Sequence, residues 1–291
     1  MKNVILASNP YRDKNFQNVR EAMGILKAAG ISARLCLPFD VDRSFELPKD
    51  LRFSKLDREL GSAELIICFG GDGTILHMAK SATRRGIPLL GVNIGTMGFM
   101  AELESTELDR LSQLATGEYT VDSRMMLDVT VQRDRDIIYH DICLNDVVIT
   151  KGAIARIVHL DVRCDGAQAM SIGGDGVIVA TPTGSTAYAL SAGGPVIEPD
   201  LECIEMHLIC PHSLFSRAML FSPERTLTLL CKSSSEESPL YMSFDGETPL
   251  KVSSNSRIEI SKSRYKIPFV DFESKNAFHE SLSKKLMQSI K

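Results

Sequence analysis

The sequence predicts an open, mostly parallel α/β domain followed by a mostly β domain, with a C-terminal helix that returns to the first. Three observations point there. Strand-like and helix-like segments alternate over residues 1–100. After about Gly117 nearly every apolar segment reads as a strand. The tail then regains helical spacing at Phe278, Leu282, Leu286 and Ile290. A chain of 291 residues is long enough for two domains. The expected division is 1–117, 118–265 and a tail helix over 266–291.

Val4 to Ala7 is a short apolar run and reads as the first strand. Phe16 to Ala29 has helical spacing at Val19, Met23 and Leu26 and stops at Gly30. Ile31 to Leu37 is strand-like, and Pro38 to Asp50 loop-like. Leu65 to Phe69 is continuously apolar, as a central parallel strand should be. A helix follows with Ile75, Met78, Ala79 and Ala82 on one face, and Pro88 to Val92 is a further strand. Beyond Gly117, strands are expected at 125–132, 136–140, 146–150, 154–163, 177–180, 227–230 and 257–260. One short helix is expected there, at about Ser185 to Ala192.

Composition narrows the classes. Apolar residues are 44% and charged residues 24%, which excludes disordered, collagenous and coiled-coil chains. Lys plus Arg number 33 against 37 Asp plus Glu, so neither nucleic acid nor a membrane surface is an expected partner. No apolar run reaches the ~18 residues of a membrane span. Met1 to Ala7 is too short for a secretory signal and runs into the turn Ser8-Asn9-Pro10. Seven cysteines occur with no Cys-x-x-Cys spacing. Cys36, Cys68, Cys143, Cys203 and Cys210 sit in apolar surroundings, which predicts buried free thiols in a reducing cytoplasm; a zinc site is the weaker reading.

Four segments carry chemistry. Gly70-Gly71-Asp72-Gly73-Thr74 lies between the most apolar strand and a helix. Glycines there admit a phosphate to backbone N–H groups at a helix N-terminus. No Lys follows, so this is not a Walker A loop. Asp72 repels an anion unless it binds Mg²⁺ or takes a proton from an attacking hydroxyl. The plain alternative is Asp72 capping its own helix. Gly91-Val92-Asn93-Ile94-Gly95-Thr96-Met97-Gly98-Phe99 also follows a strand, as a ligand loop or a structural turn. Asn145-Asp146 precedes the run Val147 to Ile149; it caps a turn or reads the donors of a base or ribose. Gly173-Gly174-Asp175-Gly176 leads through a strand into Thr181-Pro182-Thr183-Gly184-Ser185-Thr186-Ala187-Tyr188, with Ser191 beyond. Six of the eleven residues from Thr181 to Ser191 carry hydroxyls, interleaved with Ala and Gly rather than charges. The six histidines lack a pairwise metal spacing; only His212 lies in a motif.

On these residues the chain resembles the NAD kinases. Gly-Gly-Asp-Gly-Thr is shared with diacylglycerol and sphingosine kinases and, more loosely, phosphofructokinases. Asp175-Gly176 through Thr181–Tyr188 to Gly194-Pro195 is more specific, and Pro211–Leu214 with Arg217 and Phe244–Glu247 match in order and spacing. The resemblance covers about residues 65 to 250, and a Rossmann-like first domain fits it. It implies phosphorylation of NAD at the adenosine ribose 2′-hydroxyl, with ATP and a divalent metal, foremost Mg²⁺, as a homotetramer or homodimer. It implies that Asp72 is the acid/base or metal-organising group, with Gly71, Gly73 and Thr74 at the phosphates and Phe99 near the adenine. Asn145 and Asp146 would bind the adenosine, Asp175 the nicotinamide end, and Thr183, Thr186, Ala187, Tyr188 and Ser191 the adenosine pocket. Cys210, His212 and Asp245 would lie near the site. Three departures stand out: Asp146 where Glu is usual, Gly173 where many members have Arg, and Glu247 where Gln is common. Gly173 bears on selectivity between NAD and NADH; a turn needing positive φ is its structural alternative. Inorganic polyphosphate is a second candidate donor. A lipid or sugar kinase and a dinucleotide sensor without turnover are the competing functions.

Overall fold

The computed structural model describes residues 1–291 except 96–97, 153–156, 214–216, 232–239, 254–255, 273–277, 279–281 and 283–291. The chain divides into two compact units, Met1–Ser123 with Ile267–Lys291, and Arg124–Lys266.

The first unit is α/β. Its elements are β1 (Asn3–Ser8), α1 (Gln17–Ala28), β2 (Ser32–Cys36), β3 (Phe53–Ser54), α2 (Leu56–Glu59), β4 (Leu65–Gly70), α3 (Asp72–Thr83), β5 (Leu89–Asn93), β6 (Leu103–Glu104) and α4 (Gln113–Thr116). Strands run parallel in the order β5-β4-β1-β2-β3. All six residues of β4 are buried, as its unbroken apolar sequence requires of a strand covered on both faces. Val19, Ala22 and Leu26 of α1 pack with Val4, Leu6, Leu65 and Ile67. The chain leaves β1 for β2 on one side and crosses back to β4 on the other. That reversal opens a crevice at the carboxyl ends of β1 and β4, where such sheets bind ligands.

The second unit is β-rich. It holds most of β7 (Thr120–Arg133), then β8 (Asp136–Cys143), β9 (Asp146–Lys151), β10 (Val158–Cys164), β11 (Ala167–Gly174), β12 (Gly176–Ala180), α5 (Tyr188–Ser191), β13 (Ile204–Ile209), β14 (Met219–Phe221), β15 (Leu227–Cys231), β16 (Leu240–Phe244), β17 (Leu250–Val252) and most of β18 (Ser256–Asp271). One antiparallel sheet runs β14-β13-β12-β9-β16-β17; the other strands include the path β11-β10-β15-β18. Alternating side chains of both sets meet in one core that includes Val129, Val147, Ile149, Leu160, Val177, Val179 and Ile258.

Two expectations need correcting. The single helix over Ser185 to Ala192 is a 3₁₀ turn, Thr183–Thr186, followed by α5, broken at Ala187 with φ −99 and ψ −125. Hydroxyls bonded to local carbonyls favour the tighter turn. Residues 266–271, placed in the tail helix, continue β18 instead, with Ile267 and Phe269 buried and Lys266 exposed. Phe269 pairs in parallel with Leu89 inside the first unit. In the tail, Phe278 and Leu282 are helical and half-buried, while Leu286 and Ile290 lie outside the described residues. Among the described residues no helix is long and apolar enough to cross a membrane.

Candidate functional site

In the α/β unit the chemistry gathers where β4 turns into α3. Gly71 is the N-cap, in extended backbone, and no side chain caps the helix. Asp72 does not cap its own helix either. Its Oδ2 accepts the N–H of Phe99 at 2.8 Å and its Oδ1 that of Met100 at 3.1 Å. The two glycine segments are therefore one structure, with the Asp72 carboxylate as the clamp between them. A Cβ on Gly98 would collide with Asp72 Oδ1, and one on Gly70 with the Thr74 hydroxyl, so glycine is needed for both approaches. Thr74 is buried, Gly71 and Asp72 are half-buried and Gly73 is exposed, while Phe99 is half-buried. Asn93 holds the far side, accepting the Gly95 N–H and donating to Glu104.

A residue outside the motifs joins this group. The Arg12 guanidinium reaches over both turns: a Cβ on Gly71 would lie 3.6 Å from its Nη1, and one on Gly95 would collide with it. The loop carrying Arg12 is tied down, with the Asn9 N–H on the Phe69 carbonyl at 2.9 Å and the Asn9 amide on the Thr74 hydroxyl at 3.4 Å. Ser8-Asn9-Pro10 read as a turn in the sequence. The available signal was a cation following the first strand of a parallel sheet, at its ligand-binding end.

In the β-rich unit three motif segments meet. Asp245, at φ +50, accepts the N–H groups of Leu144 at 2.9 Å, Asn145 at 2.7 Å and Asp146 at 3.3 Å. Thr181 donates its hydroxyl to the Leu144 carbonyl at 2.5 Å and its N–H to the Asn145 carbonyl at 2.8 Å. Gly184 presses on the Asn145 backbone so closely that no side chain fits. Asn145 is buried and its Oδ1 has no hydrogen-bond partner. A buried acceptor left open costs stability unless a donor arrives. Asp146 is buried beside it; desolvation and the charge of Asp245 push its carboxyl up to about 7. Of the six hydroxyls, those of Thr181, Ser185 and Thr186 are engaged on backbone carbonyls. Thr183 is buried, Thr186 and Ala187 are half-buried, and Tyr188 and Ser191 are exposed.

Asp175 forms an ion pair with Lys151, at 2.5 Å, both side chains partly exposed. Gly173 is a half-buried residue of β11 without positive φ, so the turn explanation fails. A Cβ there would meet His159 and Ile157 at an ordinary 3.6 Å. Its carbonyl accepts the N–H of His212 at 2.9 Å, which brings the exposed His212 to the same edge. Cys210 is exposed, not buried as expected, because the backbone turns at φ +42 where β13 ends. None of the seven cysteines is in a disulfide. Among the described residues no group of three or more His, Cys, Asp or Glu side chains is placed to hold a metal.

A further buried carboxylate lies outside the sequence motifs. Glu205 on β13 is fully buried and neither oxygen has a donor; desolvation pushes it up to about 7. Its Oε1 fills the space a Gly194 side chain would occupy. The alternation of Ile204, Met206 and Leu208 gives no hint that Glu205 is enclosed.

The chain is similar to known proteins over most of its length. Residues 4–119 match the ATP-NAD kinase N-terminal domain and residues 144–272 the ATP-NAD kinase C-terminal domain. The NAD kinase of Acetivibrio thermocellus is 37% identical over 279 residues, 96% of this chain and 95% of that one. That of Natranaerobius thermophilus is 41% identical over 225 residues, covering 77% and 78%. Among solved structures, yeast NADH kinase complexed with NADH superposes with a TM-score of 0.85 at 24% identity, covering 98% of this chain and 87% of that one. An NAD kinase from Archaeoglobus fulgidus in complex with ATP gives 0.74 at 25% identity, covering 98% of both.

Proposed function

This chain belongs to the NAD kinase family and phosphorylates NAD with ATP, and we propose that Asp72 is its proton acceptor. The observation that carries this is the carboxylate fixed by two backbone N–H groups at an otherwise anion-favouring turn. Each Asp72 oxygen retains a lone pair beyond the N–H it accepts. The ribose 2′-oxygen attacks the γ-phosphorus and the bond from that phosphorus to the ADP oxygen breaks. The hydroxyl proton passes to Asp72, which stays anchored by its N–H donors. Gly71, Gly73 and Thr74 present backbone to the phosphates, and Arg12 faces the negative charge that spreads over them. A divalent metal, foremost Mg²⁺, suits this donor set. Mg²⁺ is usually held by one or two carboxylates plus substrate phosphates, and Asp72 would be that carboxylate through the oxygen that does not take the proton. When bound it neutralises phosphate charge.

In the β-rich unit, Asn145 Oδ1 and Asp146 take the adenosine donors, with Thr183, Thr186, Ala187, Tyr188 and Ser191 around them. Asp175, Gly173, Cys210 and His212 form the nicotinamide end, and Asp245 positions Asn145 and Asp146 through their N–H groups. NADH is a second substrate in this reading. A lone Asp175 carboxylate would favour the cationic oxidised ring, but its charge is offset by Lys151. Gly173 adds no bulk. The exposed Ile137 and Ile138 on β8, which pairs with β7, support self-association as a homotetramer or homodimer. Cytoplasmic location fits cysteines that form no disulfide.

The test is a coupled assay with ATP, Mg²⁺ and NAD, reading NADP with an NADP-specific dehydrogenase, repeated with NADH and with polyphosphate. NADP formation that Asp72→Asn abolishes supports the assignment. NAD binding with no NADP formed by the wild type would overturn it.

A further inference from the structure

Next to the glycine turns, the α/β unit exposes an aromatic cluster that the motifs do not include. Tyr11 follows the end of β1 and is 52% exposed. Its ring lies parallel to Phe39, with centroids 6.3 Å apart, and edge-on to Phe45 at 5.1 Å. Phe39 in turn meets the exposed His77 ring edge-on at 5.8 Å. The tyrosine hydroxyl is fixed by Asp42, donating to its Oδ2 at 3.2 Å and accepting its N–H at 3.1 Å. An exposed tyrosine held this firmly offers a flat, pre-ordered face.

The sheet order places this cluster in line with the phosphate turns. The loops leaving the carboxyl ends of β5, β4, β1 and β2 carry Gly95, Gly71 with Asp72, Tyr11 with Arg12, and Phe39 respectively. Neighbouring strands lie ~4.8 Å apart, so the row spans roughly 14 Å. Arg12 stands between the glycines and the rings, its guanidinium over Gly71 and Gly95 and its backbone continuous with Tyr11. His77, four residues after Gly73 on α3, closes the row from the helix side. Anion-favouring backbone, then a cation, then an apolar π-face is the order of groups that a nucleoside triphosphate presents from its γ-phosphate to its base.

We propose that Tyr11, backed by Phe39, Phe45 and His77, is the stacking platform for the purine base of the phosphoryl donor, with Arg12 on its phosphates. This rests on the kinase reading above and extends it to donor choice. A base on this platform gives ATP an affinity that inorganic polyphosphate cannot draw on.

The experiment uses the full chain and steady-state NADP formation. Stacking of a base on an aromatic residue contributes enough that its loss weakens binding by about tenfold. Tyr11→Ala is expected to raise KM for ATP about tenfold, leaving KM for NAD within about twofold. Tyr11→Phe keeps the face but loses the Asp42 anchor, and is expected to raise KM for ATP far less than the alanine variant. Tyr11→Leu retains apolar bulk without the π-face and serves if the alanine variant folds poorly. Inorganic tripolyphosphate is the baseless probe: its inhibition constant against ATP is expected to be unchanged by Tyr11→Ala and weakened by Arg12→Ala. An unchanged KM for ATP in Tyr11→Ala and Tyr11→Leu, or equal weakening of ATP and tripolyphosphate by them, would overturn the platform. A wild type that forms no NADP from ATP would instead overturn the kinase reading, so the two failures are distinct.

Discussion

In the α/β unit, Asp13 and Asp72 are surrounded by donors; in the β-rich unit, Asp146 and Glu205 are enclosed with few or none. Asp13 is fully buried yet accepts the N–H groups of Asn18 at 3.0 Å and Val19 at 3.2 Å, and the Ser8 hydroxyl at 3.0 Å. Asp72 accepts Phe99 and Met100. Burial pushes both Asp146 and Glu205 up to about 7, with the charge of Asp245 adding to the first and no donor reaching the second. Asp13 and Glu205 are equally buried, and what separates them is the supply of donors. Within the α/β unit the contrast is finer. Asp13 fills the N-terminus of α1, closing it to ligands, whereas Asp72 turns away from α3 and leaves that N-terminus uncapped.

The largest expected effect comes from breaking the donor-held carboxylate of the turn. Asp72→Asn removes the proton acceptor and turns one of the two oxygens that accept backbone N–H groups into an NH2 donor, so kcat should fall by at least roughly 10²–10⁴-fold while NAD affinity stays near wild type. A near-normal kcat would remove Asp72 from the mechanism. Gly98→Ala probes the same clamp sterically. Its methyl would displace the Asp72 oxygen, and misplacement by ~1 Å costs about 10²-fold in rate. An alanine variant with full kcat would show that the carboxylate position is not critical.

Asp13→Ala sharpens the other side of the contrast. It removes the α1 cap and leaves buried donors unpaired, so stability should fall by about 2 kcal/mol. Thermal melts would show the drop, while KM for ATP and NAD should not move. A kinetic change without a stability change would mean that α1, too, serves the ligand.

Lys151→Met tests the neutralised carboxylate of Asp175. Freed of its partner, Asp175 should favour the oxidised ring, and the NAD/NADH ratio of kcat/KM should rise roughly fivefold. An unchanged ratio would separate Lys151 from selectivity.

The smallest effect concerns pH. A carboxyl at about 7 in the folded chain and about 4 in the unfolded one keeps its proton longer when folded. Its stability contribution is intact below about pH 4 and declines as pH rises towards 7, with the full penalty above that. Glu205→Gln removes the titration. It should melt above wild type at pH 8, with the gap narrowing at pH 5. A variant that melts lower at pH 8 would mean that the carboxylate is satisfied there.

Local sequence determined a good deal of this protein. The continuous run Leu65 to Phe69 already specified a covered parallel strand, because a stretch of that composition has no solvent-facing side. The glycines at 70, 71 and 73 marked a close-approach turn, and the segment from Thr181 to Tyr188 carried enough specificity to indicate the NAD kinase family. Helix and strand periods are properties of neighbours along the chain, so they can be read from it. Other features arose only in the folded chain. Asp72 reads as a helix cap until the backbone of residues 99 and 100 arrives, and Asp245 clamps residues about a hundred positions earlier. Lys151 neutralises Asp175 across 24 positions, Glu205 is enclosed within its alternating strand, and Cys210 is turned outward by a single positive φ. Tyr11 and Arg12 gain their meaning from strand order, which sets β1 beside β4. Each of these depends on which distant segment supplies a donor, a charge or an empty space, and that is settled by sheet topology and packing rather than by any local pattern.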